Sequence, residues 1–267
     1  MRQRMLLVVT ILILAVPLPA AAQDGETPTP TPAPLTLPGA CRAAVDGMRA
    51  ATADLAFPEH FQEENAAKTG DEFDVNAYFE ALDHLTVEEG MALDYVYHYD
   101  GMGGFPVLYV HSADEPPFLT EADYQTARGE EAGDFGAYLN HIVIDDTPAG
   151  YLQFLALMTM GGQFYLFWHA NYNDTLVICD SEAVDEALAS VGVYGQTITP
   201  EFTEQAHALD VEPVVEIEDD TARVRVVLFT KWGGFFEAIF TIGREFPHAV
   251  LETQTETLLE YQVGIMF

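Results

Sequence analysis

The chain has 267 residues, of which 43 are acidic and only 10 are basic, so its formal net charge at pH 7 is −33. A surface this negative repels phosphate backbones and anionic lipid headgroups, so we expect no nucleic-acid partner. The charge is interpreted first as a means of solubility, and the alternative is a role in binding cations, basic polymers or basic proteins. Apolar residues make up 49% and aromatic residues 12% of the chain, which is enough for a full-sized core and excludes a largely disordered protein.

The first residues predict export. Arg2 and Arg4 precede an apolar run over residues 6–16, and residues 20–22 are alanines that provide a small-residue cleavage site. The run is shorter than the roughly 20 residues of a membrane-spanning helix, so residues 1–22 are predicted to be a cleaved signal peptide. We therefore expect a secreted or extracellular protein, or one kept in the periplasm or cell envelope, with no stable membrane insertion.

A Thr/Pro-rich segment follows the signal. Residues 27–34 alternate proline with small residues. Because proline fixes φ and lacks an N–H, this segment cannot join a helix or a sheet. We predict a disordered spacer over residues 23–40 and then a single globular domain over residues 41–267, with a possible subdivision near residue 210.

Helical spacing and capping signals alternate with strand signals in the first half of the domain. These patterns predict helices over residues 41–57, 76–85 and 120–128, a capping-box turn at 86–89, and strands over 93–99, 105–111 and 138–144. Cys41, at the start of this half, and Cys179 are the only cysteines. An even pair in an exported protein favours a disulfide, and the alternative is two buried thiols.

The second half of the domain is predicted to contain mainly hairpins and short helices. Helices are predicted over residues 181–191 and 199–209, and strands over 151–158, 164–170, 175–179, 211–218, 222–230, 235–242, 248–253 and 258–265. Glycine pairs at 103–104, 161–162 and 233–234 each precede an aromatic strand and are interpreted as hairpin turns. The fold class is therefore α+β, with antiparallel meandering sheets and the helices grouped on one side.

The first polar and aromatic cluster lies in the strand over residues 93–99. His98 and Asp100 share one strand face, while Tyr97 and Tyr99 share the other. A hydrogen-bonded His–Asp pair here would orient a general base. The alternative is a solvated polar face on a strand whose tyrosines pack inward.

The second cluster follows the strand over residues 164–170. Trp168 is expected to face the core and His169 the opposite side. Asn171, Asn173 and Asp174 offer oxygen ligands that Ca²⁺ could use, although the alternating series and distal Glu of a calcium loop are missing. A polar hairpin turn is the alternative, and no metal site and no cofactor are assigned.

The leading hypothesis is a non-enzymatic secreted or surface-displayed domain that binds a small ligand, polymer or protein. The residues expected to contact the ligand are Tyr97, Tyr99, Trp168, Asn171, Asn173 and Asp174. No HExxH or GxSxG motif occurs. The alternative is a secreted hydrolase that uses a His/Asp acid–base pair, with His98, Asp100 and His169 as its candidates. Convergence of the two clusters on one cavity would support both hypotheses.

Overall fold

The computed structural model describes residues 35–191 and 197–261 and shows the predicted α+β fold. Its α-helices are α1 (Pro38–Thr52), α2 (Glu121–Arg128), α3 (Pro148–Met160), α4 (Ser181–Val191) and α5 (Pro200–His207). Its strands are β1 (Leu35–Thr36), β2 (Leu85–Val87), β3 (Met91–Tyr99), β4 (Gly103–Ser112), β5 (Ile142–Ile144), β6 (Phe167–Trp168), β7 (Leu176–Ile178), β8 (Val214–Ile217), β9 (Thr221–Thr230), β10 (Gly234–Gly243) and β11 (Val250–Glu260). The predicted signal peptide lies outside the described residues. Within them, no helix has both the length and the apolar character needed to cross a membrane.

The strands of the described chain form antiparallel sheets. The largest has the order β1-β8-β9-β10-β11, and β7 also pairs with β9, next to residues 227–229. A small sheet joins β2 to β5, and another has the order β3-β4-β6. Because β7 and β9 belong to one sheet, the chain before and after residue 210 shares a single layer.

Helices cover both faces of the largest sheet, so the predicted grouping on one side is wrong. Along β9, Val226 and Leu228 belong to the core that contains residues of α1 and α3. Val227 and Phe229 belong to the core that contains residues of α4 and α5. Successive strand residues point to opposite faces, so an apolar run on a strand requires a cover on each side.

The central helix, α3, replaces a strand that the sequence predicted over residues 151–158. Every residue from Gly150 to Leu157 is buried, so apolar side chains surround the helix and leave no 3.6-residue period to detect. Thr147 caps the helix by accepting a hydrogen bond from the Gly150 N–H at 3.1 Å, and Pro148 takes the first turn. The Thr-Pro start and the 13-residue length are the signals that distinguish this helix from a strand.

Other predicted elements differ from the structure mainly at their ends. Residues 35–40, predicted as spacer, form β1 and the start of α1, because Pro38 fits the first turn of a helix, where its missing N–H costs nothing. Residues 86–87, predicted as part of a turn, pair with β5 instead. Three predicted segments are shorter in the structure: the helix over 76–85 is a 3-10 turn at Val75–Glu80, the strand over 138–144 is β5, and the strand over 164–170 is β6. The strands predicted over 248–253 and over the described part of 258–265 form one strand, β11.

The predicted disulfide between Cys41 and Cys179 is confirmed. It joins α1 to the residue after β7 across 138 positions, and both cysteines are buried. Close by, Arg49 of α1 donates to Glu186 of α4 at 2.8 Å. The bridge and this ion pair together hold α1 against the segment that leads into α4.

Candidate ligand-binding site

The β3–β4 hairpin, which the sequence predicted, supports the candidate site. The two strands pair along their whole length. Tyr95 and Tyr97 point into the main core, whereas Val96 packs with Tyr109 and Tyr124 in a separate cluster on the other face. The predicted alternation along β3 is therefore correct, and both faces of the hairpin are covered over its middle.

Tyr97 lies in the core rather than on the ligand-facing surface predicted for it. Its side chain is 1% exposed and stacks on the ring of Phe61, with centroids 4.1 Å apart and planes inclined by 8°. Its hydroxyl donates to the backbone oxygen of Tyr165 at 2.8 Å. Tyr97 is therefore a core residue beneath the site, and we do not include it among the ligand-binding residues.

The two predicted clusters converge at the turn end of the hairpin. Trp168 pairs with Gly103 in the ladder, and Phe167 pairs with Gly104. The ring of Phe167 lies 5.9 Å from that of Tyr99, which is half-buried. The His169 N–H donates to the Met102 oxygen at 3.1 Å, and the His169 ring lies 4.5 Å from the Trp168 ring. The segment 167–169 therefore continues the sheet at this end.

Close approach explains the glycine pair at 103–104. A Cβ on Gly104 would lie 2.5 Å from the Tyr97 hydroxyl oxygen, and one on Gly103 would lie 3.1 Å from the Ala170 nitrogen. The residue of this turn that has a left-handed backbone is Gly101, with φ of 84°. The pair at 161–162 also differs from its predicted hairpin role, since Gly161 ends α3. The pair at 233–234 does lie in the β9–β10 turn, as predicted.

An exposed apolar patch surrounds this turn. We define the hairpin-end patch as Met102, Phe105, Phe135 and Trp168. Met102, Phe135 and Trp168 are 53%, 57% and 57% exposed, and the ring of Phe135 meets that of Phe105 edge-on at 5.8 Å. Trp168 was predicted to face the core, and this prediction is wrong, because its side chain is as exposed as that of Phe135. Its φ of 45° is left-handed, a conformation that costs a non-glycine residue roughly 1–3 kcal/mol.

A cleft of about 190 Å³ opens beside the patch, between β4 and the end of α3. No described strand pairs with β4 on this side beyond Gly104. The cleft is lined by Phe105, Phe135, Tyr138 and Met158, with Thr159 and Asn173 as polar groups. Because drug-sized ligands occupy roughly 300–1,000 Å³, a cleft of this size suits a single ring or side chain.

An ionisable pair stands next to Phe105. His98 Nδ1 lies 2.8 Å from one carboxylate oxygen of Glu121 and 2.9 Å from the other, and its ring lies 4.9 Å from the Phe105 ring. The hydrogen bond with Glu121 raises the pKa of His98 above its ordinary value, against the opposing effect of burial. A histidine held in this way is oriented and partly exposed, which is a requirement for acid–base work.

Asp100 has a different role from the predicted partnership with His98. Its carboxylate accepts the backbone N–H groups of Met102 and Gly103, each at 2.8 Å, and these bonds lower the pKa of Asp100. The side chain thus closes the hairpin turn. His98 obtains its carboxylate from α2, 23 positions further along the chain, instead of from the turn.

The oxygen-rich segment 171–174 is held by a lysine. Lys231 Nζ lies 3.1 Å from Asp174 Oδ2 and donates to the Asn171 backbone oxygen at 3.1 Å. An ammonium group therefore occupies the position next to two of the three expected Ca²⁺ ligands. Across residues 35–191 and 197–261, no three His, Cys, Asp or Glu side chains are placed to hold a metal ion.

Met102, Phe135 and Glu121 belong to this site and were not identified from the sequence. Phe135 lies in a polar, glycine-containing stretch, where a large apolar residue has no helical or strand period to satisfy. That isolation is the one signal that could have selected it. Met102 and Glu121 carry no such signal, because a turn residue and a first-turn helix acid are both ordinary in these places.

Comparison with protein families, curated proteins and solved structures finds no match to this chain. The function is therefore inferred from the site alone. The site offers exposed rings, a small aromatic cleft with two polar groups, and one oriented His–Glu pair. This combination can bind a ring through its faces and position it through a few hydrogen bonds.

Proposed function

We propose that the chain is an exported, non-enzymatic binding domain whose hairpin-end patch and adjoining cleft hold a ligand that presents a ring. The observation that carries the proposal is the convergence of segments 99–105 and 167–173 around exposed Met102, Phe135 and Trp168. Export is supported by the predicted signal peptide and by the disulfide, which persists in oxidising compartments.

Charge and shape narrow the class of ligand. The formal charge of −33 disfavours acidic ligands, so we propose a neutral ring with apolar faces and a polar edge, such as one unit of a neutral saccharide. A ring in the cleft would pack against Phe105 and Phe135, and Thr159 and Asn173 would bond its polar edge. An extended polymer would place one unit in the cleft and another on Trp168.

Tryptophan fluorescence tests this proposal directly, because Trp168 and Trp232 are the two tryptophans of the chain. The variant Trp232→Phe leaves Trp168 as the sole reporter. We expect its emission to change saturably on titration with neutral oligosaccharides and to stay unchanged with acidic oligosaccharides of the same length. In isothermal titration calorimetry, Trp168→Ala should bind at least about tenfold more weakly than the parent chain. Equal affinity in Trp168→Ala would overturn the proposed site.

The alternative function is hydrolysis with His98 as acid–base catalyst, and the His98–Glu121 hydrogen bond favours it specifically. It predicts slow turnover of esters or glycosides that disappears in His98→Gln. Glu121→Gln should lower turnover and shift its pH profile, since it alters the basicity of His98. Binding without turnover, retained in His98→Gln, would reject this alternative and keep the binding function.

A further inference from the structure

A second cavity lies at the opposite end of the β3–β4 hairpin. Its volume is about 340 Å³, larger than the cleft at the turn end. It is open to solvent and is lined by residues 92–95 of β3, His111 of β4, residues from the connection over 68–76, and Pro117 and Leu119. No sequence pattern indicates this cavity, because its walls come from segments far apart in the chain.

The cavity contains a partly buried ion pair. Lys68, one of the two lysines of the chain, bonds to Asp94, and their side chains are only 9% and 18% exposed. The Lys68 ammonium also lies 4.6 Å from the centroid of the Tyr95 ring, within the range of a cation–π contact. The site thus already combines a carboxylate with an aromatic face around a primary ammonium group.

Negative charge exceeds positive charge in the cavity. Glu72 and Asp74 line it together with Asp94, so three carboxylates face the one ammonium of Lys68. The oxygens of Glu72 are taken by backbone N–H groups of Thr69 and Gly70 at 2.8–3.0 Å. The remaining electrostatic preference of the cavity is therefore for a cation.

Several acceptors remain for a ligand. Asp94 uses Oδ1 for both Lys68 and the Tyr95 N–H, which leaves Oδ2. Asp74 uses Oδ1 for the backbone and side-chain N–H groups of Asn76, which again leaves Oδ2. The Tyr95 side chain is 1% exposed, and its hydroxyl has no hydrogen-bond partner among the described residues. A buried unpaired hydroxyl is costly, so a bound donor or acceptor that reaches it would stabilise the site.

We propose that this cavity is a second binding site, which takes a small organic cation carrying a primary ammonium group. Its ammonium would lie between Asp94 Oδ2 and Asp74 Oδ2, beside the aromatic wall. An inorganic ion is a poorer fit, since no three His, Cys, Asp or Glu side chains in the described chain are arranged as metal ligands. An anion would meet an excess of carboxylates.

Calorimetric titration of the purified chain with 1,4-diaminobutane tests the proposal, with 1,4-butanediol as the uncharged probe of equal length. We expect saturable binding of the diamine and no heat from the diol. Asp74→Asn removes one charge yet keeps the oxygen that accepts the Asn76 N–H, so the fold should persist. This variant should bind the diamine about tenfold more weakly.

Asp54→Asn is the matched control, because Asp54 is an exposed carboxylate outside the cavity and its loss changes the net charge equally. Its affinity for the diamine should equal that of the parent chain. Equal weakening in both variants would show attraction to the overall negative charge and would overturn the proposal. So would an absence of diamine binding at millimolar concentration, or Ca²⁺ binding that Asp74→Asn abolishes.

Discussion

The two ends of the β3–β4 hairpin invert the usual distribution of side chains in different ways. At the turn end, large apolar side chains are exposed: Met102, Phe135 and Trp168 each keep more than half of their area in solvent. At the open end, charged side chains lose most of their solvent contact, with Lys68 and Asp94 only 9% and 18% exposed. Exposed apolar side chains forgo the burial that a ligand would supply, and a partly buried ion pair pays a desolvation cost, so both ends are candidates for binding.

Distance separates the two ends, while a shared core connects them. Asp94 and the turn residue Asp100 are six positions apart along β3, a span on the order of 20 Å. Sites farther apart than roughly 10 Å usually respond to mutation independently. A change at one end should therefore leave the other end intact, whereas a change in the middle should damage both.

The largest expected effect comes from the middle of the hairpin. Tyr97→Ala removes a buried ring that stacks on Phe61, and we expect the free energy of unfolding to fall by about 3–5 kcal/mol. Tyr97→Phe, the control, loses only the hydrogen bond to Tyr165 and should cost about 1 kcal/mol. Urea denaturation measures both. If Tyr97→Ala disturbed one end and spared the other, the shared-core description would be wrong.

The next effect tests the open end alone. Lys68→Met leaves Asp94 buried without its partner, and since Asp94 keeps some solvent contact we expect a loss of about 2 kcal/mol, below the range for fully buried pairs. Lys231→Met is the matched control, because the pair of Lys231 with Asp174 is more exposed, with 24% of each side chain in solvent. It should cost less than about 1 kcal/mol. Unchanged Trp168 emission in Lys68→Met would show that the ends are independent.

The sequence predicted the hairpin and its turn but neither of its two candidate binding sites in full. Period-two alternation identified β3 and β4, and Thr120 with Asp123 located the start of α2, where Thr120 indeed accepts the Asp123 N–H. These signals are local. The pairing of Lys68 with Asp94 spans 26 positions and that of His98 with Glu121 spans 23, and neither depends on a nearby pattern.

The error in α3 explains why the sites were hard to locate. A helix buried on every side has no detectable periodicity, so residues 151–158 were predicted as a strand. The end of this helix forms one wall of the turn-end cleft, through Met158 and Thr159. With that segment placed as a hairpin, the cleft could not be predicted, although both clusters beside it were.

A smaller effect concerns pH and the turn end. The hydrogen bond that His98 donates to Glu121 raises the pKa of His98 in the folded chain above its ordinary 6.5. The stabilisation by this pair is therefore fully present below about pH 6.5 and is lost as the pH rises through the higher folded value. Because His98 is partly exposed, we expect it to contribute about 1 kcal/mol or less.

Urea unfolding of the parent chain and of Glu121→Gln, each at about pH 5.5 and about pH 8, isolates this contribution. The parent should exceed the variant in stability at the lower pH, and the gap should narrow at the higher pH. His98→Gln should show the same loss of pH dependence. A gap that widens with rising pH would contradict the sign derived from the His98–Glu121 bond.

The smallest effect on stability belongs to Trp168, and it separates folding from binding most sharply. Trp168 is exposed, so Trp168→Ala should change the free energy of unfolding by less than about 0.5 kcal/mol. Trp168→Gly relieves the left-handed backbone at φ 45° and should gain about 0.5 kcal/mol after the entropy cost of glycine. Both variants should lose the neutral-ring ligand while keeping diamine binding at the open end. A destabilised Trp168→Gly would mean that the indole holds the turn end together, and its exposure would then no longer indicate a ligand.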